Sequence, residues 1–413
     1  MVTKSTRGIL SKISGVIHID LTYYLGGGVW LTLSTGVALI SSFALSALFA
    51  RFTSKEFYGQ YKFVFSLLSL LAIFSLPGMD TAVTQSIAQG YKNSFLKATQ
   101  EKLRWSLVGC IGLIVTAIYY FHHQKNLGWV FILALPLFIL VYGLPIGPAF
   151  IGRKQFKIFG IYNILQNGLR LLLVGMAIFI SRSVLVVVVT SLLAQSIVNV
   201  MAFPLAFRQS REGIKDDAGL ISYGRHLTLI NSLTTITLNL SRALLVSFVG
   251  FQGLAVYSIA SILPDIARGF LKQIRTLTLP KLSKDDVSEV YPKIQARLVY
   301  LLLIGFISFL IVALFLPFLI LYVYSAKYID AVLPAEILSI SLIFTPLSNV
   351  LASALTAQRR KGNLYLAHVV YAIIGIALLI ALAPSWGVVG AATSLVAARL
   401  GSTLYAWYCV REM

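Results

Sequence analysis

The chain has 413 residues, of which 58% are hydrophobic and only 12% are charged, and its mean hydropathy is +0.85. Soluble domains carry roughly 25% charged residues, so this composition excludes an ordinary soluble enzyme or binding domain. The formal net charge is +20. The charged residues form short clusters between long apolar runs, which is typical of membrane-protein loops rather than of a nucleic-acid-binding surface. No nucleic-acid partner is predicted.

The apolar runs predict about twelve transmembrane helices. Most runs are close to the roughly 20 residues that a helix needs to cross about 30 Å of hydrocarbon. Barrel strands would be about 10 residues long and alternate in polarity, so the fold class is predicted to be an all-α integral membrane protein. The first run is too long for the apolar core of a cleavable signal peptide, and it is predicted to be the first span. In chain order, the predicted spans cover residues 24–50, 61–88, 105–121, 129–151, 161–181, 184–207, 226–249, 254–279, 298–323, 331–356, 364–383 and 387–409.

The distribution of lysine and arginine predicts the orientation of these spans. Of the 34 basic residues, 24 fall in the N-terminus, every second loop and the C-terminus, and 6 fall in the remaining loops. The positive-inside rule therefore predicts that both termini are cytoplasmic. The two longest connections, near residues 208–225 and 280–297, are predicted to be charged cytoplasmic loops.

Short sequence matches recur six spans apart. Residues 188–194 (VVTSLLA) lie in the sixth predicted span and residues 391–397 (AATSLVA) in the twelfth, and a basic pair follows both the fourth and the tenth span. These matches predict two homologous six-helix lobes, residues 1–208 and 209–413. An even number of spans per lobe makes the repeats parallel, and transporters of this kind bind substrate in a central cavity between pseudo-symmetric halves.

Four basic residues remain inside the predicted spans: Arg170, Arg242, Arg268 and Arg399. Each costs about 2.5–3.5 kcal/mol at the centre of an inserted helix. They must therefore face water, a cavity or an anion. Because a guanidinium group binds two phosphate oxygens at once, these arginines are predicted to bind an anionic substrate.

Two acidic residues are candidates for coupling or gating. Asp265 lies three residues before Arg268, on the same helix face, and at a similar depth to Arg242. It is either one half of an internal ion pair or an ion or proton carrier. Asp80 follows Pro77 and Gly78 near the cytoplasmic end of the second span, where it either caps a broken helix or gates the inner side.

No cofactor or metal site is predicted. The two cysteines, Cys110 and Cys409, are at opposite ends of the chain and show no metal-binding or disulfide spacing. The outer loops are short, and no soluble catalytic domain is attached, so the chain is not predicted to be an enzyme.

Three short motifs lie between the end of the first span and the end of the second: residues 47–52 (ALFARF), 57–61 (FYGQY) and 76–82 (LPGMDTA). Together they resemble the oligosaccharide flippases of polysaccharide biosynthesis, of the O-antigen type. Those proteins belong to the multidrug/oligosaccharidyl-lipid/polysaccharide exporter superfamily.

The resemblance implies two six-helix bundles around a cationic, alternating-access cavity. It implies transport of a glycan on undecaprenyl pyrophosphate from the cytoplasmic to the periplasmic leaflet of the bacterial inner membrane. The four buried arginines would then contact the pyrophosphate or acidic sugars. Implied partners are the lipid-linked anionic glycan, membrane lipids, a polysaccharide polymerase and glycosyltransferases. Related precursor flippases carry arginines in the first helix, whereas the first span here has none.

Three other functions remain open. A cation-coupled multidrug exporter of the same superfamily would place acids in the core of its N-terminal half, where this chain offers Asp80. A membrane glycan polymerase or ligase would need large outer loops. A non-transporting assembly protein would tolerate neutral replacement of all four buried arginines.

Overall fold

The computed structural model describes residues 21–211, 217–282, 287–358 and 360–412. These ranges are helical almost throughout and contain no β-strand. Two 3-10 segments cover Ala72–Ser75 and Ala326–Ala331, and a π-helical turn covers Ile320–Tyr324. The α-helices are α1 (Leu21–Phe52), α2 (Lys55–Leu71), α3 (Gly78–Ala88), α4 (Ser94–His123), α5 (Lys125–Tyr142), α6 (Ile146–Gly152), α7 (Phe156–Ile180), α8 (Val184–Arg211), α9 (Leu220–Leu271), α10 (Gln273–Leu282), α11 (Val287–Ala296), α12 (Leu298–Leu319), α13 (Val332–Ala357) and α14 (Lys361–Arg411).

Within the described ranges, ten helical segments are long and apolar enough to cross a membrane. Two of them, Leu220–Arg275 and Gly362–Arg411, have 56 and 50 residues, which is more than twice the roughly 20 residues that one crossing needs. Helix α9 breaks at Gly250 (φ 71°, ψ −177°) and α14 breaks at Gly387 (φ 57°, ψ −131°). Both breaks lie where the sequence predicts one span to end and the next to begin. The predicted fold of about twelve spans is confirmed.

The second predicted span is not one continuous helix. Helix α2 ends at Leu71, a 3-10 turn follows, and α3 begins at Gly78. Between them Leu76 adopts a left-handed conformation with φ 53°. Pro77 accounts for the break, because proline has no backbone N–H and restricts the residue before it.

The segment predicted as a cytoplasmic loop at 280–297 is largely helical in its described part. Helix α11 occupies Val287–Ala296, and its Val290 and Ile294 side chains are buried. A loop prediction based on charge missed this helix because only one face of it is apolar. In the other predicted loop, α9 already begins at Leu220; residues 212–216 lie outside the described residues.

The chain divides into two compact units. The first contains the described residues up to Leu45 together with Leu71–Leu229, and the second contains Ser46–Leu70 together with the described residues from Ile230 onwards. This division follows contacts within the folded chain, whereas the predicted lobes at 1–208 and 209–413 follow sequence repetition. The lobe boundary stays a prediction.

Each unit has a buried apolar core near short helices. In the first unit, Met79 and Val83 of α3 pack with Phe95 of α4 and Phe150 of α6. In the second unit, the core joins α10, α11, α13 and the end of α14 through Leu282, Val290, Ile294, Leu351 and Val410. These short helices place polar side chains at defined positions beside the long spans.

Candidate functional site

A polar cavity of about 200 Å³ lies within the second unit. Four helical stretches line it: the part of α9 before Gly250, the middle of α13, and the parts of α14 before and after Gly387. Arg399 and His368 are its basic lining residues, and the described lining contains no acidic residue. The other lining residues are Thr234, Leu238, Ser341, Phe344, Thr345, Ser348, Asn349, Tyr371, Ser402 and Thr403.

Arg399 is held on one wall of this cavity by an aromatic ring. Its guanidinium carbon lies 5.9 Å from the centroid of the Tyr371 ring, a distance at which a cation is attracted to the ring face. The Nε atom of Arg399 is buried and has no hydrogen-bond partner among the described residues, and the same is true of the Tyr371 hydroxyl. A buried donor without a partner is costly, so this wall is suited to an acceptor-rich ligand.

The cavity hydroxyls complement the arginine. Ser341, Thr345 and Thr403 each donate a hydrogen bond to a carbonyl of their own helix, with oxygen–oxygen distances of 2.6, 2.8 and 2.8 Å. Each hydroxyl oxygen then retains acceptor capacity. The cavity therefore presents charged donors at Arg399 and neutral acceptors at its hydroxyls.

Arg268 belongs to the same region but is already paired. One of its terminal nitrogens donates to Ser341 Oγ at 3.1 Å, and the other forms an ion pair with Asp265. The arginine side chain is 10% exposed and the aspartate 48% exposed. Asp265 thus forms an ion pair with Arg268, and a role of Asp265 in coupling stays a prediction.

Three of the four predicted arginines, Arg242, Arg268 and Arg399, belong to the second unit. Arg268 donates to Ser341, which also lines the cavity that holds Arg399, so these two guanidinium groups border the same polar region. Like charges are unfavourable in a low-dielectric region unless anions or polar groups surround them.

Arg170 belongs to the first unit, in α7. It is half-buried, and its Nε atom has no hydrogen-bond partner among the described residues. One turn towards the start of α7, Gln166 donates to Tyr162 Oη at 3.0 Å and to Asn199 Oδ1 at 2.8 Å. The first unit thus has its own polar network inside the predicted spans.

Asp80 lies in the first turn of α3 and accepts a hydrogen bond from Lys102 Nζ at 2.6 Å. The Lys102 side chain is 3% exposed and that of Asp80 is 43% exposed. Lys102 lies inside α4, eight residues after its first residue, Ser94. Asp80 therefore compensates a buried cation in addition to following the break at Pro77.

A second ion pair in the first unit was not predicted. Glu101 is buried and pairs with Arg225 of α9, and Trp105 Nε1 donates to the same carboxylate at 3.0 Å. Glu101 and Arg225 are 124 positions apart in the chain, so no local pattern relates them.

The hydroxyl groups that line the cavity of the second unit were also not predicted from the sequence. The hydroxyls at residues 341, 345 and 348, together with the amide of Asn349, follow one helix face, and this spacing is the signal that would have found them.

The family model described as polysaccharide biosynthesis protein matches residues 25–284 of the chain. Comparison with curated protein sequences gives no match.

The fold is shared with several solved structures, including the following three. A multidrug resistance MATE family transporter of the MOP superfamily, in an inward-facing conformation, matches with a TM-score of 0.72 at 13% identity, covering 94% of this chain and 97% of that chain. The lipid II flippase MurJ, in an inward closed conformation, matches with a TM-score of 0.70 at 12% identity, covering 92% and 87%. A MOP superfamily transporter from Pyrococcus furiosus matches with a TM-score of 0.66 at 14% identity, covering 94% and 95%. At these identities the likeness establishes the fold.

Proposed function

Because this chain belongs to the polysaccharide biosynthesis protein family, we propose that it is a flippase for an undecaprenyl-pyrophosphate-linked oligosaccharide. It moves this substrate from the cytoplasmic to the periplasmic leaflet of a bacterial inner membrane by alternating access. Both termini are cytoplasmic in this proposal. A polysaccharide polymerase and glycosyltransferases act on the same glycan.

The observation that carries the proposal is the polar cavity around Arg399. A pyrophosphate offers many acceptor oxygens, which match the Nε and terminal nitrogens of this arginine. Sugar hydroxyls are donors as well as acceptors, and they match Ser341, Thr345 and Thr403. His368 lies in the part of α14 before Gly387, and its imidazole ring adds two further nitrogens to the cavity wall. The donor and acceptor inventory suits a phosphorylated glycan.

Arg268 and Asp265 give a route for substrate binding to change the protein. Asp265 is the anion that neutralises Arg268 in the absence of substrate. A substrate anion that competes for Arg268 would release the exposed carboxylate, which would then be able to take up a proton or cation. Asp265 is therefore the proposed coupling residue, and Asp80 is the proposed gating residue of the first unit.

The test is complementation of a bacterial strain that lacks its own flippase of this kind. Arg399→Ala, Arg268→Ala and Arg242→Ala are each expected to abolish polymer production while the protein remains in the membrane at its normal level. Arg399→Lys retains the charge but loses the planar fork, so it is expected to restore only part of the activity. Arg182→Ala, at an exposed arginine outside the cavity, is the matched control.

The accumulating intermediate distinguishes the competing functions. A flippase defect leaves lipid-linked glycan on the inner leaflet, and a polymerase defect leaves it on the outer leaflet. A multidrug exporter would extrude cationic dyes, which the acid-free lining of this cavity does not favour. Normal polymer production in the Arg399→Ala variant would rule out the cavity around Arg399 as the substrate site.

A further inference from the structure

A second cavity of the second unit, of about 230 Å³, lies where α10, α11, α12 and α13 meet. Its described walls are largely the apolar side chains Leu282, Ile294, Leu301 and Val350. The one hydroxyl among the described lining residues, that of Thr278, donates to the Ile274 carbonyl at 2.8 Å. Cavities lined by apolar groups accept hydrocarbon rather than water.

Two cations among the described lining residues border this apolar space, Lys293 near the end of α11 and Arg297 before α12. Lys293 Nζ lies 2.6 Å from Glu289 Oε2, and both side chains are largely exposed, so this pair is a weak one. Arg297 is exposed and forms no ion pair within the described residues. The positive charge of Arg297 is therefore available to a ligand.

The backbone adds to this positive charge. Arg297 occupies the N-cap position of α12, and no side chain caps the helix there. The first N–H groups of a helix have no partner within the helix, and the N-terminus of a helix favours anions. Arg297 therefore lies directly at this helix end, and Lys293 lies one turn before it.

We propose that this cavity binds an anionic phospholipid of the surrounding bilayer. The phosphate lies at Lys293, Arg297 and the first turn of α12, and a segment of one acyl chain lies against Leu301 and Val350. The basic-residue count predicts that this end is cytoplasmic, and basic pockets between membrane helices on that side bind anionic head groups.

The bilayer is the source of the ligand because the cavity is next to a lipid-exposed helix. At the start of α12, Val299, Tyr300 and Leu303 are 65%, 69% and 49% exposed. A bilayer lipid can therefore reach the cavity sideways along α12. The site differs from the polar cavity around Arg399, so the inference does not depend on the proposed transport function.

The test uses the full chain in nanodiscs of phosphatidylcholine with increasing fractions of phosphatidylglycerol. Phosphatidylglycerol is expected to raise the unfolding temperature of the wild-type protein. The variant Lys293→Gln/Arg297→Gln removes two basic contacts and is expected to need a roughly thirtyfold higher fraction for the same effect. Lys272→Gln/Arg411→Gln, at two exposed cations of the same unit that do not line the cavity, is expected to behave as wild type.

A second variant tests the role of the apolar cavity walls. Leu301→Trp keeps both cations but fills the cavity, so it is expected to lose the stabilisation by phosphatidylglycerol while it still unfolds cooperatively in phosphatidylcholine alone. Equal stabilisation of the wild type and both variants would overturn the proposal. Stabilisation by undecaprenyl phosphate but not by phosphatidylglycerol would also overturn it, because the occupant would then be the substrate's lipid.

Discussion

Arg268 and Arg399 show two ways of keeping a guanidinium group inside a membrane protein. Arg268 is neutralised by Asp265 and hydrogen-bonded to Ser341, whereas Arg399 rests on the ring of Tyr371 and keeps an unpartnered nitrogen at the cavity. Removing an anionic partner leaves a buried charge uncompensated, which costs several kcal/mol. We therefore expect an anionic substrate to reach Arg399 directly, whereas it must displace Asp265 to bind Arg268.

The ion pair of Lys102 and Asp80 gives an asymmetric prediction. Asp80→Ala leaves the buried lysine without its partner and is expected to lower the free energy of unfolding by about 3 kcal/mol. Lys102→Met leaves the half-exposed aspartate to water and is expected to cost about 1 kcal/mol or less. Thermal unfolding of the purified variants measures both effects. The double variant is expected to be more stable than Asp80→Ala alone, and equal losses in the two single variants would contradict the buried-lysine explanation.

At the scale of the helix, the two turns at Gly250 and Gly387 convert long helices into pairs of spans. Both residues have positive φ, in a region that residues with a Cβ atom avoid. Nothing lies within 4 Å of a Cβ atom built at Gly250. Any penalty there comes from the backbone conformation rather than from a collision.

Gly250→Ala is therefore expected to lower the free energy of unfolding by about 1–2 kcal/mol. The matched control is Gly269→Ala in the same helix, where a Cβ atom also meets nothing within 4 Å and φ is not positive. Alanine is the better helix former, so this control is expected to raise stability by about 0.5–1 kcal/mol. Chemical denaturation in detergent compares the two variants. An equal loss in both variants would contradict the explanation by backbone strain, because φ at Gly269 is not positive.

For the whole molecule, the predicted orientation is testable by cysteine labelling. A background with Cys110→Ala and Cys409→Ala removes both native cysteines. Arg182→Cys is predicted to be periplasmic and Arg208→Cys cytoplasmic, and both positions are exposed. A membrane-impermeant maleimide is expected to label the first variant in intact cells and the second only after permeabilisation. The reverse pattern would overturn the orientation with both termini in the cytoplasm.

Much of the fold was predictable because hydrocarbon is a simple solvent. A helix that crosses it must be apolar over a fixed length, so the apolar runs alone located the spans, including the breaks near Gly250 and Gly387. The four arginines were predictable for the same reason, since charge inside a span is conspicuous. The short helix α11 was missed because its apolar face is too brief to resemble a span.

The sequence by itself determined the class of the protein, the number of its spans and the presence of buried cations, because each depends on the cost of placing one residue type in hydrocarbon. Only the tertiary structure decided which side chains meet: Lys102 with Asp80, Glu101 with Arg225, and Arg399 with the ring of Tyr371. These residues are distant in the chain, and their contacts depend on how helices pack. Hydropathy reports the depth of a residue in the membrane and carries no information about which neighbour it faces.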